Sequence, residues 1–80
     1  MDPFIGEIRL VAFNYAPEGW ALCDGRELPI NHYQALFALL ETKYGGDGVR
    51  TFALPKLKGA DLLSGLNYVI AMEGVWPQHP

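Results

Sequence analysis

The sequence predicts a small α+β domain, a mostly antiparallel sheet of a few strands packed on one helix. Three observations carry that expectation. Residues 5–13 alternate with period 2, residues 31–44 carry one apolar stripe at helical spacing, and the segment after Leu62 is apolar, β-branched and aromatic between Gly65 and Gly74.

Size and composition set the frame. Eighty residues form one domain, which on folding buries only about 60% of the surface of its unfolded chain. Half the residues are apolar and 19% are charged, so part of the apolar surface is expected to be hidden against another chain. Six basic residues against nine acidic ones give a net charge of −3 with no basic run, which argues against nucleic acid as a partner. The single Cys23 excludes an intramolecular disulfide and a multi-cysteine zinc site; the expectation is a small buried hydrophobe, and a cross-linking thiol only if exposed. No apolar run reaches the roughly 18–20 residues of a membrane span. Met1-Asp2-Pro3-Phe4 lacks the basic start and apolar core of a classical signal peptide.

In chain order, Ile8, Leu10 and Ala12 alternate with Glu7, Arg9 and Val11, as in a half-buried strand. Asn14 to Gly19 is a turn broken by Pro17. The stretch Gly19-Trp20-Ala21-Leu22-Cys23-Asp24-Gly25 is the expected packing nucleus. Trp20 and Leu22 point to one face of a short strand, Ala21 and Cys23 to the other, and Asp24-Gly25 is expected to make a hairpin turn into a third strand closed by Pro29. Asn31 and Gln34 fit a capping box. The helix then presents Tyr33, Leu36, Phe37, Leu40 and Tyr44 on one stripe, with Lys43 in its last turn and a stop at Gly45. After the Gly45-Gly46-Asp47-Gly48 loop, Val49 to Leu54 is expected as a brief strand ended by Pro55. Leu66, Tyr68, Ile70 and Met72 alternate with Asn67, Val69, Ala71 and Glu73; with both faces apolar, this strand is either central or covered by a neighbour. Leu66, Val69, Ile70 and Glu73 also fit a helix, but the β-branched and aromatic content favours a strand.

Candidate chemistry is sparse. Cys23, His32 and Asp24 are the residue types of a nucleophile, base and orienter, but no oxyanion donor or cleft accompanies them, and His32 is expected to be a solvent-facing first-turn residue. Gly45 to Gly48 follows a helix and lacks the phosphate-loop pattern. Asp24 and Asp47 are too few oxygens for calcium. His79 belongs to the chain end. Tyr15, Trp20, Tyr44, Tyr68 and Trp76 are the aromatics available for sugar stacking, with Trp20 and Tyr44 expected in the core. Trp76, with Val75 and the strand before it, is expected to dock on a neighbouring subunit by strand addition.

Blocks in a fixed order then carry a resemblance: G-E-I-R-L at 6–10, A-P-E-G-W-A-L-C-D-G at 16–25, L-P-I at 28–30, Q-A-L-F-A-L-L at 34–40, Y-G-G-D-G at 44–48 and T-F-A-L-P at 51–55. Together they resemble the phage tail collar domain of tail fibre proteins and of bacterial microcystin-dependent proteins. Three departures stand out. Leu54-Pro55-Lys56-Leu57-Lys58-Gly59-Ala60 lacks the acid and both arginines of the usual L-P-D-L-R-G-R ending. The extended Gly/Thr/His-rich middle of longer members is nearly missing, and nothing in these residues resembles a receptor-binding head.

The resemblance implies a tail-collar-like fold with motif and core positions Trp20, Cys23, Asp24, Gly25, Leu36, Phe37, Leu40, Tyr44, Gly45, Phe52 and Pro55. It divides the chain into a motif region 1–60, a C-terminal strand 61–76 and a tail 77–80. The expected role is a non-catalytic structural subunit that self-assembles as a trimer or fibre through Tyr68, Val69, Ile70, Met72, Val75 and Trp76. No catalytic residue, cofactor or metal is expected. The expected partners are other copies and other tail or fibre proteins, without nucleic acid or membrane insertion, in a virion tail or an extracellular bacterial appendage. The competing expectation is a glycan- or cell-surface-binding module.

Overall fold

The computed structural model describes residues 2–57 and 65–78. Strand β1 (Ile8–Val11), β2 (Trp20–Leu22), β3 (Glu27–Pro29), a 3-10 turn (Ile30–His32), helix α1 (Gln34–Leu40), β4 (Thr51–Ala53) and β5 (Asn67–Ala71) follow in order. They make an α+β fold of two antiparallel sheets. One has the order β1-β5-β2 and the other pairs β3 with β4. The part of the closing segment at 58–64 and His79 lie outside the described residues.

The last strand is the centre of the larger sheet. Ile8 to Val11 face Ile70 to Asn67 on one side, and Trp20 to Leu22 face Ala71 to Val69 on the other. Of the two expectations for this segment, a central strand is the one observed. Residues directly opposite share a face, so Ile70 joins Ala21 on the side of the core and Val69 joins Leu22 on the other. The outer face of β5 is roofed by its neighbours: Arg9 reaches across to set its guanidinium 5.1 Å from the centre of the Trp20 ring.

β1 is shorter than the alternation predicts because its start is a turn. The Glu7 N–H donates to the Phe4 carbonyl at 3.0 Å, and Gly6 sits at φ +84°. Gly6 and Glu7 together oppose Ala71: the Gly6 N–H donates to the Ala71 carbonyl at 2.8 Å, and the Ala71 N–H to the Glu7 carbonyl at 2.9 Å. This is a glycine-led bulge, which needs a left-handed residue at its first position.

The expected hairpin at Asp24-Gly25 does not form. β2 and β3 belong to different sheets. Asp24 instead bridges Lys56, the Leu57 N–H donates to the Cys23 carbonyl, and the Leu54 N–H to the Arg26 carbonyl. Residues 23–26 therefore pair with the chain that leaves β4 and tie the two sheets together.

The helix is also shorter than 31–44. The Ile30 N–H is taken by the Arg50 carbonyl and the Tyr33 N–H by the Ile30 carbonyl, which holds Asn31 in the 3-10 turn; Tyr33 becomes the N-cap with no side-chain cap bond, so the Asn31–Gln34 box is not made. At the other end Glu41 turns to φ +51°, four residues before the expected glycine. The chain must leave the helix there to run beside β4, where the Gly45 carbonyl accepts from the Ala53 N–H. Tyr44 consequently lies outside the stripe, 44% exposed, and Lys43 outside the helix, its ammonium 5.8 Å from the Tyr44 ring centre.

The core joins both sheets to the helix. Leu36, Phe52, Leu54 and Ile70 are fully buried with Ala21 and Cys23. Phe37 packs its ring 5.5 Å from that of Phe52, and Tyr33, Leu40, Tyr68 and Met72 close over the cluster, half-buried. Each large apolar side chain buried this way contributes about 1.5–3 kcal/mol.

Candidate functional site

The three residues with catalytic chemistry are engaged separately. Cys23 is 3% exposed inside the core, and burial, with the Asp24 carboxylate beside it, pushes its thiol up to about 11. A thiol held protonated is a poor nucleophile and a poor metal ligand. Asp24 is bound by Arg26, whose Nη2 lies 2.7 Å from Oδ2 and whose backbone N–H donates to Oδ1 at 3.1 Å. That guanidinium holds the Asp24 carboxyl below its usual range. His32, exposed in the 3-10 turn, meets the edge of Tyr33, and among the described residues no hydrogen bond joins it to Cys23 or Asp24.

The glycine loop has a different organiser from the one its glycines suggest. Asp47 Oδ1 accepts from the backbone N–H groups of Val49 and Arg50 at 2.8 Å and of Thr51 at 3.0 Å. Three donors on one oxygen pull the Asp47 carboxyl down to about 2. This carboxylate delays the strand from Val49 to Thr51. Sequence reasoning passed over it, although Asp followed by Gly and then Thr is a side-chain-to-backbone turn signal. No group of three or more His, Cys, Asp or Glu able to hold a metal ion occurs among the described residues.

The remaining motif positions are structural. Pro55 and Phe52 are buried and Leu40 is half-buried. Gly45 joins its N–H to the Thr42 carbonyl while its own carbonyl takes Ala53. Trp20, expected in the core, is only half-buried beneath Arg9.

Of the expected assembly residues, Val69 and Ile70 are buried and Tyr68 and Met72 half-buried within this chain. Both edges of their strand are paired within this chain, to β1 and to β2. Val75 and Trp76 are different, 49% and 43% exposed. Nor is Val75 a loose tail residue. Its N–H donates to the Pro3 carbonyl at 2.8 Å and its carbonyl accepts from Ile5 at 2.9 Å, so a parallel bridge to Phe4 joins the two ends of the chain. A second apolar surface went unremarked in the sequence. Ile8 and Leu10 face the core side of the sheet, but lie at its edge and remain 39% and 41% exposed.

The geometry therefore defines a small α+β domain whose polar groups organise turns and which leaves several large apolar side chains exposed. The model of the phage tail collar domain matches residues 6–62, well over half of the chain. The chain belongs to that family, a structural family of phage tails rather than a family of enzymes. The family implies a place in the virion tail. Comparison with curated proteins gives no match. Among the described residues no helix is long and apolar enough to cross a membrane.

Proposed function

We propose that the protein is a non-catalytic subunit of a phage tail or tail-like fibre that assembles with copies of itself, as a trimer or a fibre, and with other tail or fibre proteins. The observation that supports this reading is the apolar surface: Ile8 and Leu10 on the sheet edge, and Phe4, Val75 and Trp76 where the termini meet, are exposed in a chain only 19% charged. Contiguous exposed apolar groups mark interaction surfaces. Light scattering after size exclusion, with negative-stain microscopy of the same sample, tests it. The expected result is a mass that is a multiple of 8.9 kDa, or visible fibres, reduced in size by Trp76→Ala. A clean monomer at all concentrations overturns the reading.

A glycan-binding role has one observation in its favour. Tyr15 is 61% exposed and stacks its ring 4.7 Å from that of Phe13, a platform suited to a sugar face. Titration of the monomer with tail-receptor oligosaccharides, read by fluorescence and compared with Tyr15→Ala, decides it; an unchanged signal disposes of the platform.

A further inference from the structure

We propose that β1 is the self-association edge, and that two copies join their β1 strands antiparallel about a two-fold axis through Ile8. This rests on the self-assembly reading above in its fibre form, where a two-fold contact supplies one of the interfaces; by itself it builds no trimer.

An edge strand displays unpaired N–H and C=O groups, and natural sheets usually block them. Three of the four edges here are blocked at least in part. On β2 the outward Trp20 N–H is held by the Pro17 carbonyl and the outward Leu22 carbonyl by the Asp24 N–H, each at 2.9 Å. On β4 the Ala53 N–H goes to Gly45, the Thr51 carbonyl accepts from Gly48, and the Thr51 N–H goes to Asp47. On β3 the outward positions are Glu27 and Pro29, a charge and a residue without an N–H.

At its outward positions, Ile8 and Leu10, β1 has none of these devices, although a bulge stands at its start. Antiparallel ladders alternate inward and outward groups. The bonds between Ala71 and the Gly6–Glu7 bulge therefore turn the N–H and C=O of Arg9 toward β5, and those of Ile8 and Leu10 outward. No described residue bonds to those outward groups. The side chains of the same two residues supply the exposed apolar strip.

Charge selects the occupant and the register. On the opposite face Glu7 and Arg9 form an ion pair at 2.7 Å, both partly exposed. Turned about Ile8, a second β1 brings Glu7 opposite Arg9 of the other copy and Arg9 opposite its Glu7, with Ile8 against Ile8. A register one step along, centred on Arg9, sets two arginines face to face and is disfavoured. The strand is thus complementary to itself in one register. The contact is isologous and makes a continuous sheet of six strands across two copies.

Size exclusion with light scattering and native mass spectrometry tests the contact on the full chain. Wild type is expected to show dimers or even-numbered assemblies. Leu10→Pro removes an outward N–H and leaves the ladder to β5 intact, and is expected to halve the assembly mass. Glu7→Arg makes β1 all basic and Arg9→Glu makes it all acidic; each alone is expected to lose the dimer, and an equimolar mixture to regain it as the mixed species. Loss of a merely local ion pair gives no such rescue, and far-UV circular dichroism verifies that each variant is folded. Wild-type assemblies that survive all three substitutions overturn the β1 contact while leaving self-assembly standing. A monomeric wild type overturns both.

Discussion

At the scale of single residues, one carboxylate oxygen holds the turn before β4. Asp47 Oδ1 accepts three backbone N–H groups, and its carboxyl is lowered from 3.8 to about 2. A group whose folded value is depressed stabilises the fold above its unfolded value and loses that contribution as the pH falls through the folded one. Asp47→Asn keeps an acceptor oxygen but removes the charge. Its melting temperature is expected to lie below wild type at pH 6, with the gap closing between about pH 4 and pH 2. A gap that stays constant over that range separates the effect from ionisation. Cys23 makes a second point at this scale. With its thiol pushed up to about 11 and buried, it is expected to resist an aromatic disulfide reagent at pH 8 until denaturant is added. Rapid labelling of the native protein contradicts that packing.

At the scale of elements, what the sequence made legible depended on whether local signals agreed with their surroundings. The alternation of Ala21 and Cys23 against Trp20 and Leu22 separated the two faces of β2 but not which of them is inward: Trp20 was expected in the core, and Ala21 and Cys23 occupy it. The apolar segment around Ile70 read as a strand through its β-branched content and is one. The helix boundaries failed, since Pro29 and the bond from Ile30 to Arg50 capture the first turn, and no pattern within residues 31–44 reveals a partner at residue 50. The hairpin at Asp24-Gly25 failed for the same reason: the dipeptide satisfies its backbone with residues 54–57. In the candidate surface, Trp76 was visible from its lack of neighbours, whereas Ile8 and Leu10 looked buried because period 2 indicates a face and not an edge. The loop between α1 and β4 shows how such long-range demands become strict. A Cβ at Gly46, where φ is +93°, meets the Phe52 Cα at 2.4 Å. Gly46→Ala is expected to cost about 1–3 kcal/mol from the backbone angle alone, and more through displacement of β4 from the core. A urea midpoint unchanged from wild type contradicts this fit.

At the scale of the whole molecule, stability rests on a strand that lies beyond the family's matched region. The match ends at residue 62, yet β5, at 67–71, stands between β1 and β2 and supplies Ile70 to the core. β1 and β2 have no ladder with each other, so removal of β5 leaves two isolated strands and opens one wall around Cys23 and Phe52. Domains of this size are held by about 0.05–0.15 kcal/mol per residue, and Phe52→Ala alone is expected to remove about 3–5 kcal/mol. Loss of a central strand with Val69, Ile70 and Ala71 exceeds that. A chain ending at Gly65 is therefore expected to show no cooperative thermal transition and to expose Cys23 to labelling at once. A peptide spanning 65–78 is expected to restore both properties, because the groove between β1 and β2 has backbone partners for it on each side. Cooperative melting of the shortened chain at the wild-type temperature shows that residues 6–62 fold unaided. The opposite result makes the C-terminal strand part of the collar fold itself, and leaves β1 and the junction of the termini as the surfaces through which copies meet.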